Sequence, residues 1–308
     1  MTDILTIGEA LVEVMRTGID QPLNRPGPFT GPYPSGAPFI FAVQAARMGA
    51  GVRVVGSVGE DAFGDCLRAQ LREDGVDAAG LRSVPGTTGV AFVAYNANGS
   101  RDFVFSLGAG GEISPEMLEP GYFDGVRCLH LMGSTLSLNA GALQTARDAL
   151  AMAQAGGLKF SFDPNLRPEL LSVEAAKEAF APFMAAADVL IPTADELVQL
   201  TGADSVAGAV ASLREQKPER VIVVTQGADG CTIYDENGAR HIPGFAVEEV
   251  DPTGAGDCFD AGFLVRWLAG DRVAEAARWA NACGALAVTK QGPMAGAETL
   301  AVVRAFMT

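Results

Sequence analysis

A glycine-rich segment late in the chain, DPTGAGDCFDAGF (251–263), places an aspartate directly beside a candidate anion site. Its glycines allow backbone angles that other residues avoid, so several N–H groups can converge on one anion. A helix that begins at about Ala255 to Asp257 would add the positive end of its dipole. Asp257 could then accept the proton of a hydroxyl that attacks phosphorus. The alternative is that Asp257 only caps the helix and that the glycines form a turn.

Two other glycine turns are each open to two interpretations. TQGADG (225–230) follows the apolar run RVIVV, and its Gly227 and Gly230 predict either a tight turn or a floor for a nucleotide phosphate or ribose. YPSGAPFIFAVQAARMG (33–49) predicts a turn that leads into an amphipathic helix. There Gly36 either starts the helix or lets a sugar approach the backbone closely.

The segment DPNLR (163–167) follows the apolar run KFSF and combines three polar side chains. We expect an extended segment, in which Asp163, Asn165 and Arg167 share one side. A guanidinium in this position suits a phosphoryl oxygen or an acidic ligand, because its donors form a planar fork. The alternative is a solvated loop that contains an internal Asp–Arg pair.

Short apolar runs alternate with longer Ala-rich segments along most of the chain. The predicted strands are ILTIG (4–8), VRVVGSVG (52–59), CLHLMGS (128–134), KFSFD (159–163), DVLIP (188–192) and RVIVVTQG (220–227). The predicted helices between them include 42–50, 63–75, 141–157 and 173–187. This alternation is typical of an α/β protein with a doubly wound, mostly parallel sheet and helices on both faces. Ligands of such sheets bind at the carboxyl ends of the strands.

One region interrupts the alternation. TTGVAFVAYNANGSRDFVFSLG (87–108) predicts a β-hairpin whose turn is NANG (96–99). Residues 10–34, which are rich in Gly and Pro, could supply further strands beside it. Because no linker, repeat or low-complexity tail is evident, we expect residues 1–308 to form one folding unit that carries a small β-sheet lid.

The composition excludes several classes of function. The 308 residues are 48% hydrophobic and 19% charged, with a formal net charge of −15, which disfavours a nucleic-acid-binding role. The charge does not exclude a phosphorylated ligand, since local fields and metal ions can override it. Five dispersed cysteines and two histidines make a zinc site improbable and are typical of a reduced, cytoplasmic protein. We expect neither a membrane span nor a secretory signal.

The four motifs, in this order and over essentially all 308 residues, resemble the ribokinase-like (pfkB) carbohydrate kinases. That family includes fructokinases, tagatose kinases and 2-keto-3-deoxygluconate kinases. The resemblance implies a ribokinase-like fold and transfer of the γ-phosphate of ATP to a sugar hydroxyl. The family does not use a P-loop, and the chain has no Gly-x-x-x-x-Gly-Lys-Ser/Thr motif.

The resemblance also implies residue roles. Asp257 would be the catalytic base, and the N–H groups of Gly254, Ala255 and Gly256 would form the anion hole. Arg167 would lie between the sugar and the phosphate, while Asp163 and Asn165 remain candidates for the substrate site. The other implied residues are Glu13 and Gly36 for the sugar, Thr225, Gly227, Gly230 and Asn281 for ATP, Glu196 for Mg²⁺, and Asp251 and Thr253 for a monovalent cation such as K⁺.

Departures from the family pattern bear on the substrate. Thr193 stands where the Asn of an Asn-x-x-Glu motif is usual, and SGAPFI places Ile40 where an Asn would fall. The ketogluconate kinases usually carry a Tyr-Arg pair in the second lid strand to hold the acid, where this chain has Phe105 and Ser106. A neutral ketohexose, similar to tagatose or fructose, is therefore favoured over a sugar acid.

Two other classes of protein stay open at this point. A non-catalytic sugar sensor could keep the fold. Because a sensor would tolerate the loss of Asp257, the presence of Asp257 argues against this class. An NAD-dependent dehydrogenase would need Gly-x-Gly-x-x-Gly after the first strand, which continues as GEALVE instead. The partners expected are the sugar and ATP, and the resemblance suggests a homodimer that pairs through the lid.

Overall fold

A computed structural model describes residues 2–98 and 100–308 and places thirteen strands of this part of the chain in two sheets. The strands are β1 (Ile4–Ile7), β2 (Leu11–Arg16), β3 (Phe29–Ser35), β4 (Val52–Val58), β5 (Asp77–Ser83), β6 (Gly89–Tyr95), β7 (Arg101–Ser106), β8 (Cys128–Met132), β9 (Lys159–Asp163), β10 (Val189–Leu190), β11 (Val221–Thr225), β12 (Gly230–Asp235) and β13 (Gly238–Pro243). All six strands predicted from apolar runs are present.

The large sheet has the strand order β13-β12-β11-β10-β9-β8-β1-β4-β5. Its strands from β11 to β5 pair in parallel, and only β12 and β13 at one edge pair antiparallel. Strand β1 pairs with β4 on one side and with β8 on the other. The order in which the chain adds strands to the sheet therefore reverses its direction between β1 and β8. This reversal opens a crevice at the carboxyl ends of β1 and β8, where doubly wound sheets bind ligands.

Helices cover both faces of the large sheet. They are α1 (Ala37–Arg47), α2 (Ala62–Glu73), α3 (Gly133–Leu136), α4 (Ala140–Ala155), α5 (Val173–Ala186), α6 (Ala194–Thr201), α7 (Val206–Gln216), α8 (Ala255–Leu268), α9 (Val273–Ala287) and α10 (Leu300–Phe306). Neighbouring strand residues point to opposite faces, so Ile4 packs in one hydrophobic core and Leu5 in the other. The first core includes α1, α8 and α9, and the second includes α4 to α7. The predicted doubly wound fold is confirmed.

The second sheet, which we call the lid sheet, has the order β3-β2-β6-β7. Its β6–β7 hairpin is antiparallel and confirms the predicted pairing, whereas β2 and β6 run in parallel. Gly99, in the predicted turn, lies outside the described residues. Along β7, half-buried Arg101, Phe103 and Phe105 alternate with more exposed neighbours. One face of the hairpin is therefore turned towards the protein. Within the described ranges, no helix is long and apolar enough to cross a membrane.

Candidate active site

A cavity of about 280 Å³ lies between the lid sheet and the crevice of the large sheet. It is lined by residues from the β1–β2 connection, the start of α1, the lid strand β7, the turn after β9 and the start of α8. The predicted site residues that line it are Glu13, Gly36, Asn165, Arg167, Thr253, Gly254, Ala255, Gly256 and Asp257. The fold thus brings together residues separated by more than two hundred positions in the sequence.

The start of α8 forms a cradle of backbone N–H groups. Gly254 precedes the helix with φ 82°, in the left-handed region that favours glycine. A Cβ atom on Gly254 would lie 2.5 Å from the carbonyl oxygen of Pro293, so no other residue fits this position without a shift. Within the described ranges, the N–H groups of Gly254 and Gly256 donate no hydrogen bond, and that of Ala255 makes only a long one of 3.5 Å to Pro252. Free N–H groups at a helix N-terminus form an anion site.

Asp257 lies at the same helix start and is 7% exposed. Among the described residues its carboxylate accepts no hydrogen bond, and α8 begins without a side-chain cap. Burial raises its pKa well above the usual range, the charge of Asp163 raises it further, and Arg167 opposes both effects. A buried carboxyl group that is free of partners and faces a cavity is suited to accept a proton from a bound ligand.

Two further buried acids form the opposite wall of the cavity. Glu9 follows β1 and accepts hydrogen bonds from Ser134 Oγ (2.8 Å) and Thr135 Oγ1 (2.7 Å), which links the carboxyl ends of β1 and β8. Glu13 Oε1 accepts a hydrogen bond of 2.6 Å from Ser35 Oγ, and Oε2 has no partner among the described residues. Burial raises the pKa of Glu13 to about 7 and also raises the pKa of Glu9. These carboxyl groups offer acceptors to hydroxyl groups.

Strand β7 of the lid sheet closes the cavity with one cationic and two aromatic side chains. Phe103 and Phe105 stack with their ring centroids 5.4 Å apart. Arg101 Nη1 donates to Thr253 Oγ1 at 3.2 Å, next to the cradle. Strand β7 therefore covers one side of the cavity and contacts the loop that leads into the cradle directly.

The segment after β9 is not extended as we expected. Asn165 adopts φ 35°, a left-handed turn, because its N–H (2.9 Å) and its Nδ2 (3.0 Å) both donate to the carboxylate of Asp163. The turn leaves Asp163 buried behind the cavity, whereas Asn165 and Arg167 line it. Burial first, and then the charge of Glu196, raise the pKa of Asp163 to about 7.

The predicted metal-site residues are engaged in hydrogen bonds with the chain and do not line the cavity, apart from Thr253. Glu196 Oε1 accepts from Leu166 N at 2.7 Å, and Oε2 accepts from Thr193 N at 2.8 Å in a capping box that starts α6. Asp251 is 1% exposed and accepts hydrogen bonds from Tyr95, Thr253 and Gly292. Thr193 fulfils a capping role that Asn could also perform.

The predicted ATP-site residues lie together but outside the 280 Å³ cavity. Gly227 and Gly230 have φ 59° and 96° in the turn between β11 and β12, which Thr225 precedes. Asn281 Nδ2 donates to the carbonyl oxygens of Ile242 and Pro243, both at 3.0 Å, and so ties α9 to β13. A Cβ atom on Gly230 would meet the same Ile242 carbonyl at 2.2 Å. The turn between β11 and β12 and helix α9 therefore lie next to the same carbonyl group of β13.

The site combines a backbone anion cradle, a buried carboxyl group and a cavity covered by the lid sheet. This arrangement agrees with the similarity of the chain to known proteins. The model of the pfkB family carbohydrate kinases matches residues 1–300. The chain belongs to this family. It is accordingly a sugar kinase, and the prediction made from the four motifs is confirmed.

Relatives of this kinase share most of its length. Fructokinase-1 of Oryza sativa subsp. japonica is 33% identical over 314 residues, covering 96% of this chain and 94% of the relative. An E. coli protein provisionally named ribokinase II, solved with ATP and Mg²⁺, is 36% identical with a TM-score of 0.94, over 100% and 99% of the two chains. A fructokinase of Vibrio cholerae O395, solved as a double mutant with fructose, ADP and potassium ion, is 28% identical with a TM-score of 0.87, over 100% and 99%.

Sequence reasoning missed part of the wall of this kinase's cavity. Glu9, Ser134 and Phe103 line it but belong to none of the four motifs. The sequence does contain a signal for Glu9. This acid comes just after the apolar first strand, so it is expected at the carboxyl end of that strand, where doubly wound sheets bind ligands. The contributions of Ser134 and Phe103 depend on strand order and on lid placement.

Proposed function

We propose that this kinase transfers the γ-phosphate of ATP to a hydroxyl group of a neutral ketohexose such as fructose or tagatose. The observation that carries the proposal is the position of Asp257, a buried carboxyl group that faces the cavity beside the free N–H groups of the α8 cradle. One site thus combines a proton acceptor for a hydroxyl with a site for the phosphoryl charge.

In the proposed reaction, the sugar occupies the cavity with its reactive hydroxyl group at Asp257. Asp257 accepts the hydroxyl proton as the oxygen attacks the γ-phosphorus of ATP, and the bond from this phosphorus to the β-phosphate oxygen breaks so that ADP leaves. The cradle N–H groups and the positive end of α8 stabilise the charge on the transferring phosphoryl group, and such preorganised dipoles are usually a large catalytic contribution. Arg167, which lies close enough to lower the pKa of Asp257, is placed to meet a phosphoryl oxygen.

The residues present fit a magnesium ion that arrives with ATP. Mg²⁺ prefers oxygen ligands and keeps several of its waters at nucleotide sites, where it bridges phosphate oxygens. Asp163 ends β9, Glu196 lies in the helix after the neighbouring strand β10, and the two carboxyl groups interact by charge, so they would hold such waters. We also retain Asp251 and Thr253 as the predicted monovalent-cation loop, and Thr225, Gly227, Gly230 and Asn281 as the predicted ATP site.

The acceptor groups of the cavity favour a neutral sugar over a sugar acid. Glu9 and Glu13 line the sugar side, and Glu13 Oε2 has no hydrogen-bond donor among the described residues. A sugar hydroxyl group can donate a hydrogen bond to this oxygen, whereas a sugar carboxylate has no proton to donate. Arg101 also lines the cavity, but it donates to Thr253. The fructokinase relatives, and the Vibrio cholerae fructokinase solved with fructose, support the same choice.

The test is ADP release by the purified protein with ATP, Mg²⁺ and a panel of fructose, tagatose, 2-keto-3-deoxygluconate and ribose. We expect the highest kcat/KM with a ketohexose. A higher kcat/KM with 2-keto-3-deoxygluconate would identify a sugar-acid kinase instead, which is the second candidate because Arg101 and Arg167 both line the cavity. No release with any sugar would contradict the proposal.

We further propose that residues 1–308 fold as one unit with the lid sheet and act in the cytoplasm as a homodimer. The outer face of the lid sheet supports the dimer, because it exposes Val104 (52%) and Phe29 (38%). Light scattering coupled to size exclusion should give twice the chain mass. A monomer at micromolar concentration would contradict the dimer.

A further inference from the structure

The tip of the β6–β7 hairpin contacts the loop that leads into α8 at two points. Tyr95 Oη donates to Asp251 Oδ1 at 2.9 Å, and Arg101 Nη1 donates to Thr253 Oγ1 at 3.2 Å. Tyr95 and Arg101 are directly opposite each other in the hairpin. The two contacts therefore come from one cross-strand pair, which holds the lid against the loop as a unit.

Asp251, the acceptor for Tyr95, fixes the surroundings of the cradle. Its Oδ1 also accepts from Thr253 N at 3.0 Å, and its Oδ2 accepts from Gly292 N at 2.8 Å. Gly292 is followed by Pro293, whose carbonyl oxygen packs against Gly254. One buried carboxylate thus holds the chain on both sides of Gly254, and a lid hydroxyl group is one of its three donors.

The same hairpin reaches the sugar side of the cavity. Phe103 and Phe105 continue β7 from Arg101, and all three line the cavity. A sugar that packs under these side chains would contact the same strand that reaches Thr253, and the paired strand reaches Asp251. The sugar side and the phosphate side are therefore joined through the paired strands of one hairpin.

We propose that Tyr95, with Arg101 paired to it, is a positioning residue that couples sugar binding under the lid to the order of the phosphate cradle. The proposal rests on the proposed function for the assignment of the sugar and phosphate sides. Because coupling between two ligands is reciprocal, sugar should raise the affinity for nucleotide by the same factor as nucleotide raises the affinity for sugar.

The test compares Tyr95→Phe with Tyr33→Phe. Both variants remove one hydroxyl group from the lid sheet, but Tyr33 Oη is hydrogen-bonded to Thr30 within β3 at 2.9 Å and does not contact Asp251. The dissociation constant of a non-hydrolysable ATP analogue with Mg²⁺ is measured by calorimetry with and without saturating fructose. We expect Tyr95→Phe to reduce the fructose-dependent gain in affinity by about five-fold, the effect typical of one buried hydrogen bond, and Tyr33→Phe to preserve it.

Steady-state kinetics provide a second readout. Tyr95→Phe should lower kcat/KM for the sugar by about the same five-fold, with most of the loss absent when kcat is measured at saturation with both substrates. Equal behaviour of Tyr95→Phe and Tyr33→Phe in both assays would overturn the proposal.

Hydrogen exchange separates this inference from the proposed function, because it needs no turnover. In the protein without ligands, Tyr95→Phe should speed exchange of the hydrogen-bonded amides of Asp251, Thr253 and Gly292, and Tyr33→Phe should not. If the wild-type protein phosphorylates no sugar but the two variants differ in this way, the proposed function fails and the role of Tyr95 stands. If the wild-type protein is active and exchange of these three amides is unchanged in Tyr95→Phe, the role of Tyr95 fails alone.

Discussion

The side of the cavity that we propose for the phosphate and the side that we propose for the sugar are built in different ways. The phosphate side is one continuous segment, Thr253–Asp257, whose backbone N–H groups and single carboxylate point into the cavity. The sugar side is assembled from side chains of Glu9, Glu13 and the lid strand β7, which are far apart in the sequence. A local segment depends on backbone geometry at a few positions, whereas a dispersed wall depends on strand order and tolerates changes of single side chains.

The largest effect is expected from Gly254→Ala, because the phosphate side depends on a left-handed backbone. The added Cβ atom would lie 2.5 Å from the Pro293 carbonyl oxygen at φ 82°. We expect turnover to fall by about 10²–10³-fold, as for loss of a preorganised donor, and stability to fall by roughly 1–3 kcal/mol. ADP release and urea unfolding measure the two effects.

Gly256→Ala is the matched control for stability, since no atom lies within 4 Å of its added Cβ. Its free energy of unfolding should stay within about 0.5 kcal/mol of wild type. Equal destabilisation by both variants would show that the strained backbone at Gly254 is not what distinguishes this segment.

A smaller effect is expected on the sugar side from Glu13→Gln, seen in the pH dependence of stability. Burial raises the pKa of Glu13 from 4.5 to about 7, so between these values the folded protein keeps a proton that the unfolded chain has lost. The stability from this group is fully present below pH 4.5 and is lost as the pH rises through 7. The loss amounts to at most about 3 kcal/mol.

Urea unfolding at about pH 5 and about pH 8 checks this linkage. From the lower to the higher of these pH values, the free energy of unfolding should fall more for the wild-type protein than for Glu13→Gln. The control variant Glu215→Gln, at an exposed site, should follow the wild-type protein. A Glu13→Gln curve parallel to that of wild type would mean that Glu13 binds no extra proton in the folded protein.

The smallest effect is expected from Thr193→Asn, which introduces the residue usual in the family. Thr193 caps α6, and Asn is an equally good capping residue, so the free energy of unfolding and kcat/KM should change little. Thr193→Ala removes the cap and should cost about 1 kcal/mol. A rise of ten-fold or more in kcat/KM for Thr193→Asn would instead assign this position a direct part in phosphate handling.

The same contrast explains how much the sequence could predict. The alternation of strands and helices, the start of α8 at Ala255 and the DPTGAGDCFDAGF motif are local patterns, and each can be predicted from the sequence. The turn at Asn165 was not predicted, because it is produced by two hydrogen bonds to the buried Asp163. The bond from Tyr95 to Asp251 joins residues 156 positions apart, so it depends on how the lid sheet meets the large sheet.

The most direct test of the catalytic assignment compares Asp257→Asn with Asp260→Asn. Both aspartates are buried in α8 one turn apart, but only Asp257 lines the cavity. Fructose-dependent ADP release and fructose affinity are measured for both variants. We predict that Asp257→Asn keeps fructose affinity and lowers kcat by about 10²-fold or more, while Asp260→Asn stays within a few-fold of wild type. An Asp257→Asn variant that turns over like Asp260→Asn would contradict the role of Asp257 as the catalytic base.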